Sequence, residues 1–318
     1  MPKVYVIIVT YNAMKWTESC FSSLRKSSVP VHTIVVDNGS TDGTQKYIQE
    51  NFPEVNFIQS ETNGGFGTAN NTGIEIAHKE GADFFYLMNQ DAWIFENSVQ
   101  KVLDAYIAYP EPEKLGILSP MHLDGTEKRF DLHFENYLGK ETKHNRLFSD
   151  IFSGEIQPFY EINFVNAAHW FIPRNAIEKI GGFNPYFFHG AEDYEYINRV
   201  HYFGLKVVVC PHSKVVHDAK VQSFAKTENE DEAYNLQQRR LSIRMQRETR
   251  YLNPGYNYII KNEKKEFYSN IIKLRLKGNK SESDFYLEQY KYFQNRFKEI
   301  EGLRKISLTA KHPFLKLD

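Results

Sequence analysis

Carboxylate and imidazole side chains stand at a few positions where they could do chemistry. Asp37 and Asp91 each follow a short apolar run, Asp193 lies in a cluster of acids, and His217 closes the segment CPHSKVVHD. Carboxylates accept protons and bind hard cations, and a neutral imidazole nitrogen does both as well. Each residue alone also has an ordinary structural explanation, because acids cap turns and helices and nothing local distinguishes His217 from His212.

Two glycine-containing segments narrow the class of ligand. Residues 63–71, NGGFGTANN, lack the G-x-G-x-x-G spacing of a dinucleotide fingerprint, and the chain contains no G-x-x-x-x-G-K-[ST] phosphate loop. The segment after Asp37 reads NGSTDGT, which predicts a tight turn followed by a capped helix. We therefore expect the glycine-rich segment to let a ligand approach the backbone closely.

The elements that must position these residues alternate along the first third of the chain. Short apolar runs of strand length are separated by helical patterns, which predicts an α/β fold with a doubly wound, mostly parallel sheet. In such sheets ligands bind outside the carboxyl ends of the strands. From about Ile117 to Asn163 the alternation is lost, and we expect a hairpin and loops over the sheet edge. The predicted strands are Val4–Thr10, Thr33–Asp37, Val55–Gln59 and Phe84–Met88, and the predicted helices are about Trp16–Lys26, Thr44–Asn51 and Thr68–Glu80.

Composition excludes several classes of protein. The chain has 318 residues, of which 41% are hydrophobic and 25% charged, as in ordinary globular proteins. Its apolar runs, such as VYVIIV, are far shorter than the roughly 18 to 20 residues that span a bilayer, so we expect no integral membrane segment. Two cysteines, Cys20 and Cys210, argue against a disulfide or zinc framework and favour a cytoplasmic protein.

Charge is distributed unevenly along the chain. Residues from Arg240 to Asp318 carry 18 Lys and Arg against 9 Asp and Glu, whereas residues 1–239 carry 21 against 31. The basic segment contains an aromatic stripe at helical spacing, formed by Tyr286, Tyr290, Phe293, Phe297 and Ile300. Three uses of this region remain open. The stripe could dock on the rest of the chain, it could form a homodimer, or the basic face could make a peripheral contact with anionic lipid. A nucleic-acid partner is disfavoured, because the cations are interleaved with acids.

Six segments in order resemble the family-2 glycosyltransferases, which have the glycosyltransferase A fold. The similarity runs from about Val4 to Asp218, and its closest form is the bacterial rhamnosyl- and galactofuranosyl-like branch that builds surface polysaccharides. One departure concerns the family's D-x-D site, which reads Asn89-Gln90-Asp91, so that only the last acid remains. The segments are VIIVTYN, IVVDNGSTDGT, NGGFGTANNTGIEIA, LMNQDA, IPRNAIEKIGGFNPYFFHGAEDYEYINRVHYFG and VVHD.

The resemblance implies a role for individual residues. Asp193 would be the catalytic base of an inverting transfer from a UDP- or dTDP-linked sugar to a hydroxyl of a glycan or lipid-linked acceptor. Asp91 and His217 would hold a divalent metal, Mg²⁺ or Mn²⁺. Trp170, His169 and Glu192 would lie near the acceptor. The donor would be bound by Thr10, Tyr11, Asn12, Asp37, Gly65, Phe66, Asn70 and Asn89.

The resemblance also implies an organisation into domains. Residues 1–225 would form the catalytic domain, with a nucleotide-sugar half of about 1–116 and an acceptor half of about 117–225, followed by a helical C-terminal region, 226–318. The protein would work in the cytoplasm or at the inner face of the membrane. Two alternatives stay open: a nucleotide-sugar-binding protein of the same fold with little transferase activity, and a nucleotidyltransferase.

Overall fold

The computed structural model describes residues 2–219 and 232–317, which belong to two compact units. The first unit comprises Met1–Gln222 together with the last residues of the chain, Lys311–Asp318. The second unit comprises Ser223–Ala310. The final segment, Lys311–Asp318, thus belongs to the first unit, although it was expected in the C-terminal region 226–318.

The first half of unit 1 follows the predicted alternation of strands and helices. The parallel strands β1, β2, β3 and β4 are adjacent in the order β3-β2-β1-β4. Every residue of β1 is buried, as expected for a central strand covered on both faces. The elements are β1 Val4–Thr10, α1 Thr17–Arg25, β2 Val31–Asp37, α2 Thr44–Asn51, β3 Asn56–Gln59, α3 Phe66–Lys79 and β4 Phe84–Asn89.

Register brings the ends of three of these strands to one edge of the sheet. Thr10 at the end of β1 is aligned with Asp37 at the end of β2, and Val9 is aligned with Asn89 at the end of β4. The polar residues that follow these strands are therefore neighbours, because parallel strands all present their carboxyl ends at the same edge.

The second half of unit 1 extends the same sheet with mixed pairing. Strand β8 is antiparallel to β4 and β6, β6 is parallel to β9, and β9 also pairs antiparallel with β5 and β7. The elements are β5 Ala92–Ile94, α4 Ser98–Ala108, β6 Leu115–Leu123, α5 Leu132–Asn145, α6 Leu147–Ser153, β7 Tyr160–Ile162, β8 His169–Pro173, α7 Arg174–Ile180, α8 Glu192–Tyr202 and β9 Lys206–His217.

The stretch expected to form a hairpin and loops instead contains a central strand, two helices and a short edge strand. Strand β6 is buried along almost its whole length, although it includes Ser119, Pro120 and His122. Its pairing with β9 shifts register between Pro120 and Met121, an irregularity that accommodates a residue without an N–H. These polar and proline positions interrupt the apolar pattern, which is why the sequence did not reveal the strand.

A buried ion pair anchors helix α8 from within unit 1. Arg199 and Glu195 are one helical turn apart and fully buried, with Arg199 Nη2 2.9 Å from Glu195 Oε2. The guanidinium also donates to the carbonyls of Ile180 and Gly182, each at 2.6 Å. The hydrogen bonds of Arg199 and Glu195 leave neither side chain with an unpartnered buried atom among the described residues, so the pair carries no uncompensated buried charge.

The chain's final segment also packs within unit 1. Buried Asn71 of α3 donates to the carbonyls of Phe183 and Phe314, and its own carbonyl accepts from the Phe183 N–H at 2.7 Å. The Gly182 N–H donates to the Pro313 carbonyl at 2.9 Å. One amide side chain thus connects α3, the segment before α8 and the end of the chain.

Unit 2 is helical and has its own aromatic core. Phe293, Phe297 and Ile300 of the predicted stripe are buried, and Phe293 contacts Tyr251 and Phe267 of the same unit. The stripe therefore fills the core of unit 2, and it is carried by two helices rather than one. The helices are α9 Glu232–Leu252, α10 Ile260–Leu276, α11 Lys280–Gln294 and α12 Phe297–Thr309.

In the two described ranges, no helix is both long enough and apolar enough to cross a membrane.

Replacing Asn71 by Ala should destabilise unit 1, because it leaves the buried N–H and carbonyl of Phe183 unpaired. We expect a loss of about 2 kcal/mol, seen as a fall in Tm of roughly 4 to 8 °C in calorimetry. Thr72→Ala on the same helix is the control, since the Thr72 hydroxyl bonds only to the Thr68 carbonyl of its own helix. Equal Tm values for the two variants would contradict this role for Asn71.

Candidate active site

A cavity of about 400 Å³ opens at the carboxyl ends of β1, β2 and β4. Its walls come from three strand ends, from the glycine-rich segment before α3 and from the segment that precedes α8. Most of its lining groups are amides, aromatic rings and one carboxylate, which suits a polar ligand with a flat ring. The lining residues are Val9, Tyr11, Asn38, Asn63, Gly65, Phe66, Asn89, Gln90, Asp91, Phe188 and His189.

Asp37, predicted to contact the donor, is fully buried beside this cavity rather than in its wall. The hydrogen bonds to its carboxylate hold the turn after β2. Burial alone would raise the pKa of Asp37, but the hydrogen bonds from Ser40, Gln45 and Thr10 lower it below its ordinary value. Asp37 thereby fixes the loop whose next residue, Asn38, does line the cavity. Oδ1 accepts from Gly39 N, Ser40 N, Gln45 Nε2 and Gln59 Nε2, and Oδ2 accepts from Thr10 Oγ1 and Ser40 Oγ.

Two predicted donor residues also make internal bonds. Asn12 adopts a positive φ of 52°, and its Oδ1 accepts from the Thr41 N–H at 2.8 Å. Asn70 is buried and donates to the Phe66 carbonyl at 3.0 Å. Like Asp37 and Thr10, these side chains shape the loops around the cavity, whereas Tyr11, about half exposed, lines it directly.

Gly65 lies where the glycine-rich wall of the cavity meets the segment before α8. It has φ +85°, and a Cβ at this position would lie 2.3 Å from the Phe188 carbonyl oxygen. The following N–H, of Phe66, donates to that same carbonyl at 3.2 Å. Only glycine combines this backbone conformation with such a contact, so the glycine-rich segment is joined directly to the segment before α8.

The register of β5 against β9 brings Asp91 and His217 together. Ala92 is paired with His217, and the Asp218 N–H donates to the Asp91 carbonyl at 2.8 Å. As a result Asp91 Oδ1 lies 3.6 Å from His217 Nε2, although the residues are far apart in sequence. The structure thus places Asp91 and His217, the two residues predicted to hold a metal, side by side.

A second carboxylate, which sequence reasoning missed, lies behind His217. Asp131 is buried, and its Oδ2 is 3.5 Å from His217 Nδ1. Its other oxygen accepts from the Phe134 N–H and so caps helix α5. Burial lowers the pKa of His217, but Asp131 and then Asp91 outweigh it, so that the pKa is raised above its ordinary value. A cap position preceding α5 was the one sequence signal that could have revealed Asp131.

These residues fit a divalent cation that shares its coordination with another molecule. Within the part of the chain that the structure describes, no cluster of three or more His, Cys, Asp or Glu side chains could hold a metal alone. Asp91 and His217 provide an oxygen and a nitrogen, and the buried Asn89 Oδ1 lacks a hydrogen-bond partner among the described residues. A hard cation here would take its remaining ligands from oxygens of a bound ligand.

Asp193, at the start of α8, has the electrostatics of a general base. Burial and the neighbouring charge of Glu192 raise the pKa of Asp193 to about 7. Burial also raises the pKa of Glu192, whose Oε2 has no hydrogen-bond partner among the described residues. Two adjacent carboxyls cannot both ionise easily, which leaves a proton acceptor that works near neutral pH.

The third acid of this helix turn, Glu195, has a structural role in the ion pair with Arg199. The turn itself follows a backbone bend in which Gly190 has φ +86° and Ala191 has φ +71°. The positive φ of Ala191 is unfavourable for a residue with a Cβ, and strain of this kind is concentrated at functional sites. The bend connects the cavity-lining His189 to Asp193.

The structure corrects two predicted acceptor residues. His169 is fully buried, bonded to the Tyr86 hydroxyl and the Val216 carbonyl, and burial lowers its pKa to about 3. Trp170 is also fully buried and stacks on Phe183. Neither side chain can touch an acceptor sugar, because β8 lies in the middle of the sheet and both its faces are covered. Of the three predicted acceptor residues, only Glu192 lies beside Asp193.

A mixed α/β sheet with a polar cavity at the carboxyl ends of its strands is the arrangement in which nucleotide-binding enzymes hold their ligands. Residues 5–179 match the model of the glycosyl transferase family 2. The match covers more than half of the chain, and the protein belongs to this family. Its membership confirms the family inferred from the motifs.

Two curated proteins illustrate the relationship. The N-acetylglucosaminyl-diphospho-decaprenol L-rhamnosyltransferase of Mycobacterium tuberculosis is 26% identical over an alignment of 234 residues, which covers 67% of this chain and 75% of that protein. The chondroitin synthase of Escherichia coli is 31% identical over 112 residues, covering 33% of this chain and 16% of that protein.

Solved structures agree on the fold. The mannosyltransferase PcManGT from Pyrobaculum calidifontis, in complex with GDP-Man and Mn²⁺, has a TM-score of 0.53 at 18% identity and covers 77% of this chain and 63% of its own. Residues 1–349 of S. aureus TarS give a TM-score of 0.50 at 16% identity, covering 98% of this chain and 81% of that one. The likeness establishes the glycosyltransferase A fold predicted from the sequence.

Replacing Asp131 by Asn should lower the pKa of His217 while keeping α5 capped, since Asn caps helices as well as Asp does. A raised His pKa stabilises the fold below its ordinary value of about 6.5, and this stability is lost as pH rises through the raised pKa. In the metal-free protein we therefore expect a lower His217 midpoint in NMR titration and a flatter dependence of stability on pH. The signals of exposed His212, on the same strand, should be alike in both proteins. An unchanged His217 midpoint would remove Asp131 from the site.

Proposed function

We propose that this protein transfers a sugar, with inversion, from a nucleoside-diphosphate sugar to a hydroxyl group of a lipid-linked or glycan acceptor. The observation that carries the proposal is Asp193, an acid with a pKa raised to about 7 on the segment that also lines the cavity. A single displacement needs a base for the acceptor hydroxyl opposite the leaving group. The carboxylate–histidine pair at the cavity would hold a divalent cation beside the leaving diphosphate.

The donor would lie in the cavity at the strand ends. The exposed ring of Tyr11 offers a surface for a nucleobase, and Asn38 and Asn63 offer amide groups to the base or the ribose. Thr10, Asn12, Asp37 and Asn70 would act indirectly by fixing the loops that carry these residues. Gly65 and Phe66 would leave room for the sugar near the Phe188 segment.

Asp91 and His217, with Asn89, would hold a Mg²⁺ or Mn²⁺ ion. When bound, such an ion stabilises negative charge on the departing nucleoside diphosphate. The negative charges that raise the pKa of His217 also favour a cation at this position. Asp131 would orient the His217 ring, as a carboxylate behind a histidine ligand commonly does.

Asp193 would take the proton of the acceptor hydroxyl as that oxygen attacks the anomeric carbon. Because the attack and the departure occur in one step on opposite faces of the carbon, the configuration is inverted. Phe188 and Tyr194 are exposed aromatic side chains on either side of this acid in sequence. They would replace buried Trp170 and His169 as the surface on which an acceptor sugar packs.

The rhamnosyltransferase relative supports a deoxyhexosyl or hexosyl donor and an acceptor linked through diphosphate to a polyprenol. We therefore place the protein in surface-polysaccharide synthesis at the cytoplasmic side of the membrane. A second candidate, nucleotide-sugar binding with little transfer, is favoured by a single observation: Asn89 stands where the family has an acid. Product formation from a panel of nucleotide sugars and lipid-linked acceptors with Mn²⁺ distinguishes the two.

Asp193→Asn should reduce turnover by a factor of about 10² or more while leaving nucleotide binding intact, because only the proton acceptor is lost. In the wild type, the rate should fall as pH drops through about 7, where Asp193 becomes protonated. Steady-state rates measured across pH give the turnover and its pH dependence, and calorimetry gives the nucleotide affinity.

Glu192→Gln is the matched control for this assignment. It removes the negative charge that raises the pKa of Asp193, so the acidic limb of the pH–rate profile should move to lower pH while turnover is largely kept. Burial alone still raises the pKa of Asp193 in this variant, so a moderate shift is expected. Transfer by Asp193→Asn within tenfold of wild type would eliminate Asp193 as the base.

His217→Gln should weaken Mn²⁺ binding in the presence of nucleoside diphosphate by at least about tenfold, since it removes one protein ligand. Mn²⁺ electron paramagnetic resonance measures this directly, without an assay of transfer. His212→Gln, an exposed position on the same strand, should bind Mn²⁺ like the wild type. Equal Mn²⁺ affinity in the two variants would show that His217 is only a structural histidine.

A further inference from the structure

Helix α10 of unit 2 presents a face that its own core does not use. Phe267 and Ile271 are buried in that core, together with Glu263. On the side away from them, Ile272 is 55% exposed and Leu276 is 84% exposed. These two aliphatic side chains are four residues apart, so they lie on one ridge of the helix.

Lysines border this aliphatic ridge. Lys261, Lys265, Lys273 and Lys277 are spaced at intervals of four and eight residues, with Ser269 completing the row, and all four lysines are exposed. Residues four apart fall on one inclined ridge, which here runs beside Ile272 and Leu276. We call Lys261, Lys265, Lys273, Lys277, Ile272 and Leu276 the α10 face.

No carboxylate neutralises the α10 face among the residues that the structure describes. None of its four lysines lies within 4.0 Å of an Asp or Glu oxygen there. The other acid of the helix, Glu266, is engaged by Arg247 and Arg250 of α9. Asp284 of the neighbouring helix α11 forms an ion pair with Arg275, at 3.7 Å. The face is thus cationic and its neighbouring acids are already paired.

We propose that the α10 face binds the surface of an anionic lipid bilayer. Lysines attract anionic headgroups, their methylene stems lie along the interface, and the aliphatic side chains enter the boundary of the acyl region. The row of lysines beside an aliphatic ridge matches a planar, negatively charged surface. A symmetric contact between two copies would oppose like charges, which disfavours a second chain as the occupant.

The proposal goes beyond the proposed function and does not depend on it, since it concerns unit 2 alone. A transferase that takes its acceptor from a bilayer would gain from such attachment. Failure of vesicle binding would leave the assignment of Asp193 and the donor cavity untouched.

The test is co-sedimentation of the full chain with vesicles of phosphatidylcholine alone or mixed with phosphatidylglycerol. We expect binding only to the mixed vesicles, decreasing with added salt. K265Q/K273Q should lower the partition coefficient by about 25-fold, on the scale of about fivefold per lysine near an anionic surface. I272S/L276S should weaken binding without changing its salt dependence.

The matched control is K298Q/K305Q, which removes the same charge from exposed positions on α12. It should bind mixed vesicles like the wild type, and circular dichroism should be the same for all variants. Equal effects of the two lysine pairs would overturn the proposal, because they would indicate attraction by net charge alone. Light scattering that finds a dimer dissociated by I272S/L276S, with no vesicle binding, would overturn it in favour of self-association.

Discussion

The antiparallel pairing of β5 with β9 is the constraint on which the site depends. It is only three residues long, yet it fixes Asp91 beside His217 through the alignment of Ala92 with His217 and the bond from Asp218 N–H to the Asp91 carbonyl. Because β9 also pairs with β6, this register is held by the buried centre of the sheet and not by the site itself. The hydrophobic core therefore determines the positions of Asp91 and His217, and the electrostatic interaction between them acts within that fixed geometry.

Much of the nucleotide-side half could be predicted because its strands are continuous apolar runs with polar residues at their ends. The acceptor-side half could not, because its central strand β6 contains Pro120 and His122, and the sequence offers no way to tell a buried histidine from a functional one. His169 and Trp170 illustrate the same difficulty: both have side chains typical of sugar sites, and both are core residues here. Asp131 was missed since its position beside His217 follows from tertiary pairing alone.

In unit 2 the aromatic stripe predicted from the sequence is present and is buried within its own chain. Phe293, Phe297 and Ile300 of this stripe are buried in the core of unit 2. Its arginines are likewise engaged: Arg244 and Arg247 each pair with a glutamate and stack on an aromatic ring. The charge excess seen in the sequence is thus left mainly to lysines, which carry it on exposed helix faces.

The contact between Gly65 and the Phe188 carbonyl has a consequence for altering donor selectivity. The wall of the donor cavity and the segment leading to Asp193 are joined by the hydrogen bond from Phe66 N–H to the Phe188 carbonyl, and no side chain fits between Gly65 and that carbonyl, so we expect the two to move together. We therefore expect that enlarging the cavity by substitution near Gly65 or Phe188 would also displace the acid at the start of α8. Selectivity and rate are therefore one design variable at this position. The same holds for Asn38 and Asn63, because their side chains hydrogen-bond to the carbonyl and the N–H of Gly65.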